Sequence, residues 1–406
     1  MTQLRKNALL NAVGNTAYNG LQWLITVIVA RHSLYSSGIL AAAMSVSLTF
    51  RAVAYFGIHD FLVSDTKNHF SYSDYAAFRF ISSISAFLLC LIFSIISNYD
   101  TESIWAITLY MLFRISESCS DLYYGIMQKN DRLDMVGIFM TVKAAATTLI
   151  FFITFFSFGL SFALLLMSVL SLIITFTVER HCIGKFIDKT SISFSSLKAL
   201  VSEVLPIFVC QIETAVIFNL PQYLISVFFD KTVLGAYSSI FSLSLIIQAV
   251  FQYIYTPYIV RLAELSAQKS VVQFKKLLLS IIKILILVTV IFFILASIFG
   301  KNIISALFGS KMLEYSYMIL PLISGVCCYS AMSFAKTISI SSRNIKAILI
   351  SHTLGLIINI PLTMLLIKYF GVNGASYGFT AVTILIMLIM YAVRTDLSSH
   401  YSKTQK

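Results

Sequence analysis

The sequence predicts an all-α polytopic membrane protein, with about twelve transmembrane helices arranged as two parallel six-helix lobes around a central cavity. Three observations lead there. The chain is 58% hydrophobic and only 11% charged, with a mean hydropathy of +0.88, whereas soluble chains carry roughly 25% charged residues. Apolar runs of about 20 residues, the length of helix that crosses a hydrocarbon core of about 30 Å, recur from end to end between short polar breaks. A segment of the first half also recurs in the second.

The expected spans, in order, are 7–30, 37–58, 77–98, 104–127, 134–157, 160–178, 200–228, 234–260, 277–300, 314–338, 345–367 and 372–393. Each must be a helix, because lipid offers the backbone no hydrogen-bond partner and barrel strands would be shorter and alternate in polarity. Span one follows Arg5 and Lys6 as a secretory leader would, yet its Asn-rich body is a poor apolar leader core. It is expected to be the first permanent span. Twenty of the 29 Lys and Arg residues, Arg79 and Lys189 among them, fall on the side that also holds the N-terminus, and five on the other. Basic loops face the cytoplasm, so both termini are expected there, and the net charge of +12 needs no nucleic-acid partner. Four cations remain within spans: Arg51, Arg114, Lys143 and Lys336.

The repeat pairs "YNGLQWLITVI" from residue 18 with "FNLPQYLISVF" from residue 218. Asn19 and Gln22 match Asn219 and Gln222, and "SVSLTF" from 45 resembles "SLSLII" from 242. The copies lie in spans one and seven, which share an orientation, and a parallel repeat around a central site is a transporter architecture. The basic loop 179–198 is the expected boundary, giving lobes of 1–190 and 191–406.

Span four carries Arg114, Glu117, Asp121 and Gly125 within about 80° of one another on a helical wheel. An Arg, Lys or Asp at the bilayer centre costs about 2.5–3.5 kcal/mol, so these groups must face protein or water. Arg114 and Glu117 either neutralise each other at i, i+3 or line a cavity. Asp121 is either a second cavity carboxylate suited to proton coupling or a solvated residue at the cytoplasmic end. Arg51, Lys143 and Lys336 have no carboxylate three or four residues away, so each requires a partner on another helix or an anionic ligand. Asn15, Asn19 and Gln22 form an amide face on span one that can bond sugar hydroxyls or neighbouring helices. Glu213 in span seven is a further ion-coupling candidate, and all five prolines lie beyond residue 200, two of them in span seven, where bending is expected.

The stretch "NLPQYLISVFFDKTVLGAYSSI", 219–240, resembles the span-seven signature of polysaccharide flippases of the multidrug/oligosaccharidyl-lipid/polysaccharide (MOP) exporter superfamily, often termed Wzx-like: Asn-x-Pro-Arg-Tyr, an apolar run, then Leu-Gly-x-Tyr. Asn219, Pro221, Tyr223, Leu234, Gly235 and Tyr237 match, and Gln222 stands where the family often has Arg. "YGIMQKNDRLD" after span four is also similar. The resemblance implies a MATE-like fold. It implies a polyprenyl-diphosphate-linked oligosaccharide as cargo, flipped to the outer leaflet of a bacterial inner membrane for O-antigen, capsule or related polymers. It also implies membrane lipids and assembly proteins such as a polysaccharide polymerase as partners. No cofactor is expected beyond H+ or Na+ coupling, and no metal site, since the six cysteines show no ligand spacing and there is no HExxH, GxxxxGK or Asp-x-Asp. A drug antiporter should carry an acidic cavity, and a membrane glycosyltransferase or polymerase should carry a large outer loop. Neither is predicted.

Overall fold

The computed structural model describes residues 3–65, 69–184, 186, 194–268, 270–341 and 345–403, and these contain helices and turns with no strand. In chain order the helices are α1 (Gln3–His32), α2 (Leu34–Tyr55), α3 (Ile58–Ser64), α4 (Tyr72–Ile96), α5 (Thr101–Lys129), α6 (Leu133–Phe158), α7 (Leu160–Ile174) and α8 (Arg180–Ile183). They continue with α9 (Phe194–Phe228), α10 (Lys231–Phe241), α11 (Ser244–Ala267), α12 (Val271–Phe308), α13 (Ile319–Ser341), α14 (Ile345–Phe370) and α15 (Val372–Lys403). A π-helical turn, Thr175–Glu179, joins α7 to α8, and a 3-10 stretch, Ser310–Met318, leads into α13. Among the described residues, ten helical stretches are long and apolar enough to cross a membrane. The chain is a multi-pass membrane protein. Helices α1 and α5 have the length, 30 and 29 residues, but are more polar, and they occupy the expected spans one and four.

Starts follow local chemistry. Ser33 caps α2 by accepting from the Ser36 amide at 3.2 Å. Ser71 and Asp74 form a reciprocal capping box at α4. Asp100 and Asp230 cap α5 and α10. In the turn before α4, Asp65 is buried and accepts from the His69 amide at 3.1 Å, the Phe70 amide at 3.4 Å and the Tyr75 hydroxyl at 3.1 Å. Burial pushes its pKa up, but these donors outweigh it and hold the carboxyl below its ordinary pKa.

The chain divides into two compact units, Met1–Ala215 and Val216–Lys406. The division falls inside α9, downstream of the basic segment expected to mark it; of that segment, 185 and 187–193 lie outside the described residues, as do Lys67, Lys269, Arg343 and Lys406. Helix α9 runs unbroken through Pro206 and Pro221. Within the first unit α1 packs along α6, α2 against α4 and α5, and α5 against α7. The α1–α6 seam is made by glycine: a Cβ on Gly137 would lie 2.1 Å from the Leu10 carbonyl oxygen, and one on Gly14 would lie 2.3 Å from that of Gly137. In the second unit α13, α14 and α15 pack together, while α12 lies largely exposed.

Span two is interrupted between α2 and α3. Phe56 and Gly57 both take positive φ, 47° and 72°, an uncommon conformation for any residue with a side chain. A Cβ on Gly57 would also press on the Ile207 side chain at 2.8 Å. The Ala54 carbonyl next to the break then accepts from side chains: Arg79 at 2.8 Å, Ser82 at 2.9 Å and Ser118 at 3.3 Å.

Candidate functional site

The titratable groups of the first unit form three clusters built on α5. In the first, Arg114 pairs with Glu117 one turn away, donates to the Tyr110 hydroxyl at 2.6 Å and lies over the Tyr110 ring at 4.8 Å. Arg114 is 5% and Glu117 7% exposed. Among the described residues, Arg114 Nε and Glu117 Oε1 are buried and make no hydrogen bond, an unusual condition for such groups.

The second cluster surrounds the break. Arg79 Nη2 donates to Asp121 Oδ2 at 2.8 Å while Nη1 holds the Ala54 carbonyl. Asp121 Oδ1 also lies 3.2 Å from His59 Nδ1, which is 2.9 Å from the Asp121 carbonyl oxygen. His59 Nε2 faces Gln128 Oε1 at 3.3 Å. Arg79 corrects the expectation that it is a cytoplasmic loop cation: it is buried inside the unit, because the capping box at Ser71 starts α4 two turns before it.

The third cluster is the most enclosed. Lys143 Nζ donates to Ser116 at 3.0 Å and to Ser120 and Thr175 at 2.6 Å each, and stands 4.0 Å from Glu179 Oε2. Glu179 is fully buried and accepts from Ser120 and from the Tyr124 hydroxyl at 2.7 Å. Glu179, expected at the head of the basic loop, instead lies in a π-helical turn that carries the helix on, and it is buried. Of the two partners open to Lys143, the structure therefore supplies another helix.

Arg51 differs from the other three. It is half-buried on α2, its guanidinium lies over the Tyr55 ring at 5.1 Å, and among the described residues it makes no hydrogen bond and no ion pair. The charges of Arg114 and Asp121 both act on it. Tyr55 receives Arg79 over its ring as well, at 5.4 Å, and so connects Arg51 with the second cluster. Arg79, Arg114 and Lys143 each face a carboxylate, whereas among the described residues Arg51 makes no ion pair.

On α1, Asn15 and Asn19 are exposed and bonded to each other at 2.8 Å, and the buried Gln22 Nε2 has no hydrogen-bond partner. Glu213 on α9 is buried in the first unit, 6% exposed. In the second unit Asn219 and Gln222 are buried, and Lys336 is half-buried with its charge acting on His352. That unit also carries an open apolar pocket of about 320 Å³ lined by Phe251, Leu285, Phe334, Ile338 and Met390 among others. Among the described residues no group of three or more His, Cys, Asp or Glu could hold a metal ion.

Sequence reasoning overlooked Arg79, Glu179 and His59. The Ser-x-x-Asp capping signal at 71–74 would have placed Arg79 inside a helix. Nothing in the local sequence marks Glu179 or His59, whose partners are 36 and 62 residues away or more.

Comparison with known proteins bears on the fold and the family. The chain is 24% identical, over 336 residues, to the capsular polysaccharide biosynthesis protein CapF of Staphylococcus aureus, covering 80% of this chain and 83% of CapF. Its fold is similar to that of an inward-facing multidrug resistance MATE family transporter of the MOP superfamily, with a TM-score of 0.76 at 12% identity over 98% of this chain and all of that one. It is equally similar to the lipid II flippase MurJ in its inward closed conformation, with a TM-score of 0.75 at 15% identity over 95% of this chain and 87% of that one. The family model described as polysaccharide biosynthesis protein matches residues 4–264, well over half of the chain, and this chain belongs to that family.

Proposed function

We propose that this protein flips a polyprenyl-diphosphate-linked oligosaccharide from the cytoplasmic to the outer leaflet of a bacterial cytoplasmic membrane, by alternating access, during assembly of a capsule, an O-antigen or a related polysaccharide. The observation that carries the reading is Arg51: a guanidinium within a span that makes no ion pair among the described residues, with the charge of Arg114 acting on it. A membrane protein retains such a charge at a cost of a few kcal/mol, and the usual reason is a function. A diphosphate brings about two negative charges and acceptor oxygens that suit the fork of an arginine.

Asn15, Asn19 and Gln22 offer amides to sugar hydroxyls, and the basic loops set both termini in the cytoplasm. A drug-exporting role is disfavoured because Arg51, without an ion pair among the described residues, is cationic, while Glu117, Asp121 and Glu179 each face a cation. An enzymatic role is disfavoured by the transporter fold shared with MATE and MurJ.

The test is a lipid analysis of cells lacking the gene and any second flippase. A complete polyprenyl-diphosphate repeat unit should accumulate in the cytoplasmic leaflet, and a gene carrying Arg51→Ala should not relieve it. Delivery of the complete unit to the outer leaflet in the deletion strain would refute the proposal.

A further inference from the structure

We infer that the imidazole of His59, held between Asp121 and Gln128 at the break in span two, is the site that takes up and releases the proton coupled to transport. The role in coupling rests on the transport reading; the proton site itself does not.

Its hydrogen bonds support the inference. Nδ1 lies 2.9 Å from the Asp121 carbonyl oxygen and 3.2 Å from Asp121 Oδ1. Both are acceptors, so Nδ1 carries a hydrogen whatever the charge of the ring. Nε2 is the variable nitrogen, and its partner at 3.3 Å is the side-chain amide of Gln128. With Oε1 towards the ring the amide accepts from an imidazolium Nε2–H; after a half-turn its NH2 donates to a neutral Nε2. The site therefore satisfies both protonation states without rebuilding. The step balances as imidazolium plus water giving neutral imidazole plus hydronium, with the Nε2 proton as the one transferred.

Access supports it too. The His59 and Asp121 side chains are 27% and 20% exposed, whereas Arg79 behind them is 2% exposed. Water can reach the proton site and cannot reach the arginine. Gly125 makes the room: a Cβ there would stand 3.3 Å from Nδ1. The groups around His59 are Asp121 and Gln128 from α5, Arg79 from α4 across Asp121, and the exposed Asp60 on its own helix; from α9, the side chains against the break are the apolar Val204, Ile207 and Phe208.

The consequence of a proton is mechanical. When His59 is charged, Asp121 is shared by two cations; when it is neutral, Asp121 belongs to Arg79. The other end of Arg79 holds the Ala54 carbonyl next to the break. Protonation thus changes the grip on the point where span two bends, and a few residues of this kind are enough to act as a hinge.

The test uses the full chain in lipid nanodiscs. Histidine labelled with 15N should show one resonance, absent in His59→Gln, that titrates between about pH 5 and 9. Phe56 stacks on Phe208 with ring centroids 4.0 Å apart, so Phe56→Trp, in a chain carrying Trp23→Phe and Trp105→Phe, reports on the break. Its emission should follow the same titration, and that response should vanish in His59→Gln. Gln128→Leu, at the edge of the site, removes the acceptor for Nε2–H and should weaken proton binding about tenfold. A His59 resonance that stays in one form, an emission change that persists in His59→Gln, or an unchanged midpoint in Gln128→Leu would each overturn the inference. Neither readout uses cargo, so failure here leaves the flippase reading standing, while failure of the lipid analysis removes only the coupling role.

Discussion

Arg51 and Arg114 occupy neighbouring spans of one unit, yet replacing each by glutamine should move stability in opposite directions. A central arginine costs about 2.5–3.5 kcal/mol in a membrane span. Arg51 recovers part of that through the Tyr55 ring at 5.1 Å, a contribution of about 0.5–2 kcal/mol. Because it has no carboxylate to leave behind, Arg51→Gln should stabilise the fold by about 0.5–3 kcal/mol, the difference between those two terms. Arg114→Gln strands Glu117, which is 7% exposed, and takes the donor from the Tyr110 hydroxyl at 2.6 Å. Breaking a buried pair from one side costs about 3–5 kcal/mol. Unfolding of the purified variants in bicelles measures both. A diphosphate ligand adds a control: at a hundredfold excess over its Kd it should stabilise the wild type by about 2.7 kcal/mol and the Arg51→Gln variant by much less. If Arg51→Gln instead destabilises as strongly as Arg114→Gln, Arg51 has a structural partner and the cargo argument fails.

Lys143 and Glu179 should behave as a unit. Either Lys143→Met or Glu179→Gln alone should destabilise by about 3–5 kcal/mol, and the double variant should recover at least half of the summed loss; simple additivity in a double-mutant cycle would show that the 4.0 Å pair is not coupled. At the α1–α6 seam, Gly137→Ala should cost about 1–3 kcal/mol, because the new methyl meets the Leu10 backbone at 2.1 Å rather than a yielding side chain. Gly20→Ala, with nothing within 4 Å of its Cβ position, should be neutral or gain about 0.5–1 kcal/mol from helix propensity. Equal effects at the two glycines would mean that the seam is looser than its geometry.

The sequence by itself determined the spans, because the cost of placing a residue in lipid is local and sums along the chain. It also determined the Arg114–Glu117 pair as an option, since i, i+3 neighbours meet on any helix, and the span-seven signature pointed to the family. Those same local energies state only that Arg51, Arg114, Lys143 and Lys336 cannot face hydrocarbon; they do not say which partner each finds. Tertiary structure decided that. Arg79 meets Asp121 across 42 residues, and Lys143 meets a glutamate that charge patterning had assigned to a loop. The break at Phe56 and Gly57 has no proline to announce it, and it is the packing of Arg79, Ser82 and Ser118 on the Ala54 carbonyl that holds it. Arg51 stands out only after the other cations are paired, since a missing partner is a property of the whole packed unit.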